Sequence, residues 1–140
     1  MRQTIMNNGI ALDSNIILYA FDEDNSNHKN QIALRLIRNG PTFSSQVLSE
    51  VVNVFNRRWR FSKERIIGIS TFLLNNCPLT PITKEDVLLS HHLILKYDFQ
   101  YFDALIIASA LNSKCYVLYS EDMQHQMVVE DQLTIINPFL

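Results

Sequence analysis

The sequence predicts an α/β fold in which a parallel β-sheet is covered by helices on both faces. Short apolar runs that are interpreted as strands alternate with longer stretches of helical periodicity, a pattern typical of βαβ crossovers. Apolar residues make up 47% and charged residues 19%, which supplies a hydrophobic core and is unlike a disordered chain. Because 140 residues suffice for one core only, we expect a single domain over residues 1–140.

The first 44 residues are expected to supply two strands with helical structure between them. Residues 10–12 form an apolar run that is interpreted as a buried strand, and the apolar residues 16–19 continue it as a helical turn. Residues 28–39 carry apolar side chains at helical spacing, and Gly40 and Pro41 directly after them are typical of a helix end. A short strand is expected at residues 42–44.

Two helices and a strand are expected in the middle of the chain. Residues 45–60 repeat apolar side chains at helical spacing, with Ser45 as the expected N-cap. A further helix is expected to begin after Ser62, because apolar residues recur there at similar spacing. Residues 78–82 are expected as a short strand.

The last part of the chain is expected to contain two helices and two strands. Thr83–Asp86 resembles a capping box, which predicts a helix from there to about Tyr97, with His91 and His92 at the edge of the core. Residues 102–111 are apolar nearly all round, as in a helix that packs against a sheet on more than one side. Residues 116–119 and 133–136 are expected as strands.

The charge balance excludes one class of function. Twelve basic and fourteen acidic residues give a formal net charge of −2, so the chain is not expected to bind nucleic acid through an overall positive charge. A local patch is available between Arg57 and Arg65, where five basic residues are interleaved with Trp59 and Phe61. The alternative interpretation of this segment is a solvated helix end with Trp59 facing the core.

The cysteines and the N-terminal segment are typical of a cytoplasmic protein. Cys77 and Cys115 form no CxxC pair and have no histidine at ligand spacing, so we interpret them as reduced core residues. Residues 1–9 are polar, unlike a signal peptide, and the longest apolar run, residues 104–111, is far shorter than the ~20 residues that span a bilayer. We therefore expect a cytoplasmic protein without a membrane partner.

Four acidic residues lie within or beside apolar sequence, where a carboxylate is costly to bury unless something compensates for its charge. Asp13 and Asp122 each follow an expected strand, Asp103 lies in the first turn of the apolar helix, and Glu50 lies at the edge of an apolar stripe. Each has a structural interpretation of its own. Asp13 could be a strand end, Asp122 a loop residue, Asp103 a helix cap and Glu50 a residue at the boundary of the core.

Taken together, the four acids predict a metal site. The carboxyl ends of adjacent parallel strands meet at one edge of a sheet, so Asp13, Asp103 and Asp122 are expected to converge there with Glu50 in reach. Carboxylates so close repel one another unless a cation lies among them. Oxygen ligands without His or Cys favour Mg²⁺ or Mn²⁺, which bind phosphate and activate water.

The sequence resembles the PIN-domain nucleases, most closely the VapC-type toxins of bacterial toxin–antitoxin modules. The resemblance extends from Ile10 to Phe139 and depends on four ordered motifs: LDSN at residues 12–15, SQVLSEVVNV at 45–54, YFDALI at 101–106 and LYSEDMQ at 118–124. It implies a PIN-like, three-layer α/β fold with a four- to five-stranded parallel sheet. It also implies that Asp13, Glu50, Asp103 and Asp122 bind Mg²⁺ or Mn²⁺, with Asn15 and Ser120 as supporting polar residues.

The activity implied by this resemblance is hydrolysis of RNA phosphodiester bonds by a metal-activated water, without a covalent intermediate. The implied partners are a second copy of the chain and an antitoxin whose C-terminal segment blocks the acidic cleft. Three alternatives remain: a PIN nuclease that processes RNA, a PIN fold that only binds proteins, and a noncatalytic Mg²⁺-binding module similar to response-regulator receivers. A receiver requires a lysine after its last strand, whereas the last lysine here, Lys114, precedes an expected strand.

Overall fold

The computed structural model describes residues 8–24 and 28–140. Within these ranges the chain forms six strands and six helices. The strands are β1 (Ile10–Leu12), β2 (Phe43–Ser44), β3 (Leu79–Thr80), β4 (Val117–Tyr119), β5 (Val128–Val129) and β6 (Leu133–Ile136). The helices are α1 (Ser14–Phe21), α2 (His28–Arg38), α3 (Ser45–Arg57), α4 (Lys63–Asn76), α5 (Lys84–Tyr97) and α6 (Tyr101–Asn112).

The central sheet has the strand order β1-β4-β6-β5, and β1, β4 and β6 are parallel. Its register pairs Leu12 with Tyr119 and Tyr119 with Ile136, so these three strands end side by side. The parallel pair β2-β3 lies alongside, where Thr42 forms a bridge to Ala11 in β1. The predicted α/β fold with a mostly parallel sheet flanked by helices is therefore confirmed.

One strand departs from the expected parallel sheet. Strand β5, which the sequence did not predict, pairs antiparallel with β6. Glu130 and Asp131 connect these strands with positive φ angles of 54° and 52°. Tight hairpin turns of this kind usually carry an Asn-Gly or Asp-Gly signal, which is missing at these positions. This short edge strand is therefore recognised only by its pairing with β6.

The helix ends agree closely with local capping chemistry. The predicted capping box is present: Thr83 Oγ1 accepts a hydrogen bond from the Asp86 amide, and Asp86 Oδ2 accepts one from the Thr83 amide. The predicted N-cap of α3 was wrong by one residue, because Ser44 and not Ser45 accepts the hydrogen bond from the Val47 amide. Helix α3 also ends before the expected residue 60, where the backbone of Arg60 is left-handed with φ 56°.

The core lies between the sheet and the helices. Residues 104–111 of α6 are all buried, which fits the nearly uniform apolar sequence of this helix. Cys77 and Cys115 are both buried and form no disulfide. His91 and His92 are exposed and not at the core edge, because α5 directs Ser90 and Leu93 inward instead. No helix in the two described ranges is long and apolar enough to cross a membrane.

Replacing Asp86 tests the capping box that begins α5. Asp86 is 2% exposed and accepts hydrogen bonds from the Thr83 amide at 3.0 Å and from Asn112 Nδ2 at 2.7 Å. We expect Asp86→Ala to lower the free energy of unfolding by about 2 kcal/mol, because it removes both acceptors from a buried position. Urea unfolding measures this change. Glu85→Ala, at the exposed neighbouring position, is the control, and an equal loss in both variants would contradict the assignment.

Candidate active site

Asp13 is a buried carboxylate at the carboxyl end of β1, with only 5% of its surface exposed. Its Oδ1 accepts a hydrogen bond from the Ser14 amide at 2.7 Å, which makes Asp13 the N-cap of α1. Its Oδ2 accepts a hydrogen bond at 2.7 Å from the hydroxyl of Ser120, a fully buried residue directly after β4. This second bond joins the ends of the two neighbouring strands.

The surroundings of Asp13 disfavour its charged form. Burial raises the pKa of Asp13 to about 6, although the hydrogen bonds from Ser120 and Ser14 act in the opposite direction. The negative charges of Asp103 and Glu50 raise this pKa further. A carboxylate that is buried and faces other carboxylates is the arrangement that a bound cation stabilises.

Asp103 and Glu50 extend the acidic cleft from the helices. Asp103 lies in the first turn of α6, and its pKa is raised first by burial and then by Glu50 and Asp122. Glu50 lies on α3 and acts on both Asp13 and Asp103. These charge effects link Asp13 and Glu50 through Asp103 to Asp122, so the four acids of the sequence-based hypothesis lie near one another at the carboxyl edge of the sheet. We call the region between them the acidic cleft.

Asn15 links the exposed Asp122 to the start of α1. Its Nδ2 donates a hydrogen bond to Asp122 Oδ2 at 3.0 Å, and its Oδ1 accepts one from the Glu121 amide at 3.3 Å. The side chain thus joins the start of α1 to the segment that follows β4. Asn15 and Ser120 both contact predicted acidic residues, which is the geometry expected of supporting polar groups.

Sequence reasoning missed Gln46, which holds Glu50 in place. Gln46 Nε2 donates hydrogen bonds to Glu50 Oε1 at 3.1 Å and to the carbonyl oxygen of Phe102 at 3.4 Å. The spacing of four residues on one helix face signals the first contact. The second contact joins α3 to the start of α6, and it required the tertiary structure.

A second group missed in the sequence surrounds Glu121. Tyr19 donates a hydrogen bond to Glu121 Oε1 at 2.5 Å, and Lys29 Nζ lies 2.6 Å from Oε2. Burial acts to raise the pKa of Glu121, but Lys29 and Tyr19 outweigh it and lower that pKa below its ordinary value. Glu121 is therefore neutralised by a partner, whereas its neighbour Asp122 faces the cleft.

The donor set of the cleft fits a hard divalent cation. In the part of the chain that the structure describes, no three His, Cys, Asp or Glu side chains are already close enough to enclose an ion. The cleft nevertheless offers only oxygen ligands, and a cation among them would remove the repulsion between Asp13, Glu50 and Asp103. Mg²⁺ and Mn²⁺ prefer such ligands.

The fold and the cleft define an α/β protein that carries an acidic site at the carboxyl edge of a mostly parallel sheet. Residues 10–129 match the family model described as PIN domain. The chain therefore belongs to the PIN-domain family. A comparison with curated proteins found no match.

Solved structures of similar fold come from toxin–antitoxin systems. VapC20 of Mycobacterium tuberculosis, described as a sarcin–ricin loop cleaving toxin, has a TM-score of 0.64 and 17% identity over 81% of this chain and 89% of its own. A toxin–antitoxin complex from Klebsiella pneumoniae has a TM-score of 0.68 and 17% identity, over 92% of this chain and 97% of its own. VapBC2 of Rickettsia felis, bound to a promoter DNA fragment, has a TM-score of 0.60 and 18% identity, over 81% of this chain and 87% of its own. These likenesses confirm the PIN-like fold.

Removing the charge of Asp13 is expected to stabilise the metal-free protein. Asp13→Asn keeps the acceptor for the Ser14 amide and removes a carboxylate whose pKa burial raises to about 6. Because this pKa is higher in the folded than in the unfolded state, ionisation destabilises the fold as the pH rises from about 4 through 6. At pH 8 in EDTA, we expect the variant to be more stable by roughly 1–3 kcal/mol in urea unfolding.

The advantage of Asp13→Asn should disappear near pH 4, where the wild-type carboxyl group is also neutral. Asp98→Asn is the matched control, because Asp98 is exposed and caps α5 in a left-handed conformation that asparagine tolerates. A variant Asp13→Asn that is less stable than the wild type at pH 8 in EDTA would contradict this account.

Proposed function

We propose that the protein is a metal-dependent endoribonuclease that hydrolyses RNA phosphodiester bonds in the acidic cleft. The observation that carries this proposal is the convergence of Asp13, Glu50, Asp103 and Asp122 without a cationic partner. In the described ranges, none of these four carboxylates forms an ion pair. Membership of the PIN-domain family adds support, because the sequence resembles the nucleases of that family.

In this proposal the four carboxylates hold Mg²⁺ or Mn²⁺. When bound, the ion supplies a Lewis acid for the phosphate and activates water at neutral pH. Ser120 fixes the carboxylate of Asp13, and Asn15 orients Asp122. Gln46 donates a hydrogen bond to Oε1 of Glu50, which leaves Oε2 to bind the ion. Without an ion, the cleft would repel an RNA phosphate. The carboxylates therefore make substrate binding depend on the metal.

We further propose that the protein is the toxin of a toxin–antitoxin pair and that it acts in the cytoplasm. The solved structures of similar fold include toxin–antitoxin complexes from Klebsiella pneumoniae and Rickettsia felis, which favours this assignment. An antitoxin segment that places a cation among the four carboxylates would compete with the metal and block the cleft. A small reading frame that lies next to the gene of this protein and encodes a DNA-binding protein would add support.

A homodimer is also part of the proposal. Exposed apolar side chains line one face of α5 and continue into α6: Leu88, Leu95, Tyr101 and Phe102. Phe102 directly precedes Asp103, so the start of α6 lies beside the acidic cleft. Exposed apolar patches of this kind mark interaction surfaces.

Cleavage of RNA tests the activity directly. We expect the purified protein to produce discrete new 5′ ends in total cellular RNA with Mg²⁺ or Mn²⁺, and EDTA to abolish them. Asp13→Asn and Asp103→Asn should each lower the cleavage rate by about 100-fold or more, because they remove charge that holds the ion. End mapping by sequencing measures the products and identifies the target.

Asp98→Asn, which changes an exposed carboxylate outside the cleft, should cleave like the wild type. Equal cleavage by Asp13→Asn and the wild type would indicate a contaminating nuclease. No cleavage by folded wild-type protein with either metal would favour the alternative, a noncatalytic Mg²⁺-binding or protein-interaction module.

The dimer is tested by sedimentation equilibrium. We expect the wild type to sediment with twice the mass of one chain, and Leu95→Glu to sediment as a monomer, because Leu95 is 89% exposed on the apolar face of α5. Leu140→Glu introduces the same charge at another exposed leucine and should leave the mass unchanged. A monomeric wild type at micromolar concentration would refute the proposed dimer.

A further inference from the structure

The segment that carries Asp122 comprises residues 120–127, which follow β4 and form neither a helix nor a strand. We call it the Asp122 segment. Its main chain donates hydrogen bonds to carbonyl oxygens of β6 near its two ends, from Ser120 at 2.9 Å and from Gln126 at 2.7 Å. Asp122 lies between these two points and is exposed. The position of its carboxylate therefore depends on the side chains that hold the segment.

His125 joins the Asp122 segment to the residue that follows β6. Its Nδ1 accepts a hydrogen bond from the Asn137 amide at 2.9 Å. A ring nitrogen accepts a hydrogen bond only when it carries no proton, so the neutral ring in this contact has its proton on Nε2. The half-buried His125 thus binds main chain of another part of the fold, three residues after Asp122.

The residues after β6 also contact the Asp122 segment on its other side. The side chain of Asn137 accepts a hydrogen bond from the Phe139 amide at 3.0 Å, and the ring of Phe139 packs edge-on against Tyr19 with 5.1 Å between the centroids. Tyr19 in turn donates a hydrogen bond to Glu121 within the segment. Residues 137–139 therefore connect the contacts on the two sides of the segment.

We infer that His125 is a positioning residue, which holds the Asp122 segment so that the carboxylate of Asp122 is in place before an ion binds. The inference rests on the proposed function, because Asp122 is an ion ligand only there. A ligand that is already ordered loses little conformational freedom on binding, so the held segment raises the affinity for the ion. Groups that orient a metal ligand without touching the metal typically contribute about 10- to 100-fold to the affinity.

The alternative role for a histidine at this position is proton transfer during cleavage. The two roles predict different behaviour for asparagine at position 125. Asparagine Oδ1 lies the same number of bonds from Cα as histidine Nδ1 and also accepts a hydrogen bond, but an amide transfers no proton near neutral pH. His125→Asn therefore preserves the contact with the Asn137 amide and removes proton transfer, whereas His125→Leu removes both.

Isothermal titration of the metal-free protein with Mn²⁺ tests the positioning role. We expect His125→Leu, which removes the acceptor, to raise the dissociation constant about tenfold. His125→Asn should stay within about twofold of the wild type, because the acceptor is retained. Gln124→Leu is the matched control, since it also places leucine in the segment but at an exposed neighbouring position, and it should stay within about twofold as well.

Amide hydrogen exchange, measured by NMR, tests the anchor in the absence of any ion. His125→Leu should speed the exchange of the Asn137 amide about fivefold or more, because this amide loses its acceptor. Exchange of the Glu121 amide should rise with it, because the segment is held less firmly. His125→Asn should exchange like the wild type at both positions.

The dependence of cleavage on the ion separates positioning from a general loss of folded protein. His125→Leu should approach the wild-type rate of RNA cleavage at saturating Mn²⁺, because excess ion compensates for weaker binding. A smaller folded fraction would instead lower the rate at every concentration of the ion.

Equal Mn²⁺ affinity in His125→Leu and the wild type would overturn the inference and leave the proposed function intact. Unchanged exchange of the Glu121 amide in His125→Leu would also overturn it, because the contact would then not hold the segment. Equally low cleavage rates in both His125 variants at saturating Mn²⁺ would overturn it in favour of proton transfer. Wild-type protein that binds no Mn²⁺ would refute the proposed function, and the positioning of an ion ligand would be refuted with it.

Discussion

The buried carboxylate of Asp13 is the constraint on which the rest of the site depends. It joins the ends of β1 and β4 through Ser120 and caps α1, so one side chain holds three elements together. Its charge has no cationic partner in the described ranges, and burial raises its pKa to about 6. A fold selected for stability alone would avoid this arrangement, and the proposed ion would compensate for it.

The adjacent residues Glu121 and Asp122 show how the fold gives two neighbouring acids different surroundings. Glu121 is held by Tyr19 and Lys29, which anchors the segment after β4 to α1 and α2. Asp122 has no such cation and is oriented instead by the neutral amide of Asn15. Two identical formal charges are thus compensated differently, because Glu121 contacts a lysine and Asp122 contacts a neutral amide.

The net charge of −2 conceals a separation of charge along one surface. Negative charge is concentrated at the carboxyl edge of the sheet, while the end of α3 and the start of α4 are basic. A cavity of about 280 Å³ beside Trp59 lies between the two regions, and its lining contains Asp22, Glu121 and Asp122 as well as Arg58.

Much of the fold could be predicted from the sequence, because periodicity and capping are local. The sequence by itself determined the α/β class, the strand before Asp13, the capping box of Thr83 and Asp86, and the acids that follow parallel strands. Only the tertiary structure decided the contact of Gln46 with Phe102, the antiparallel strand β5, the neutralisation of Glu121 by Lys29 and the cavity beside Trp59. Each of these joins residues from different elements, and distances between elements depend on packing, which no local pattern contains.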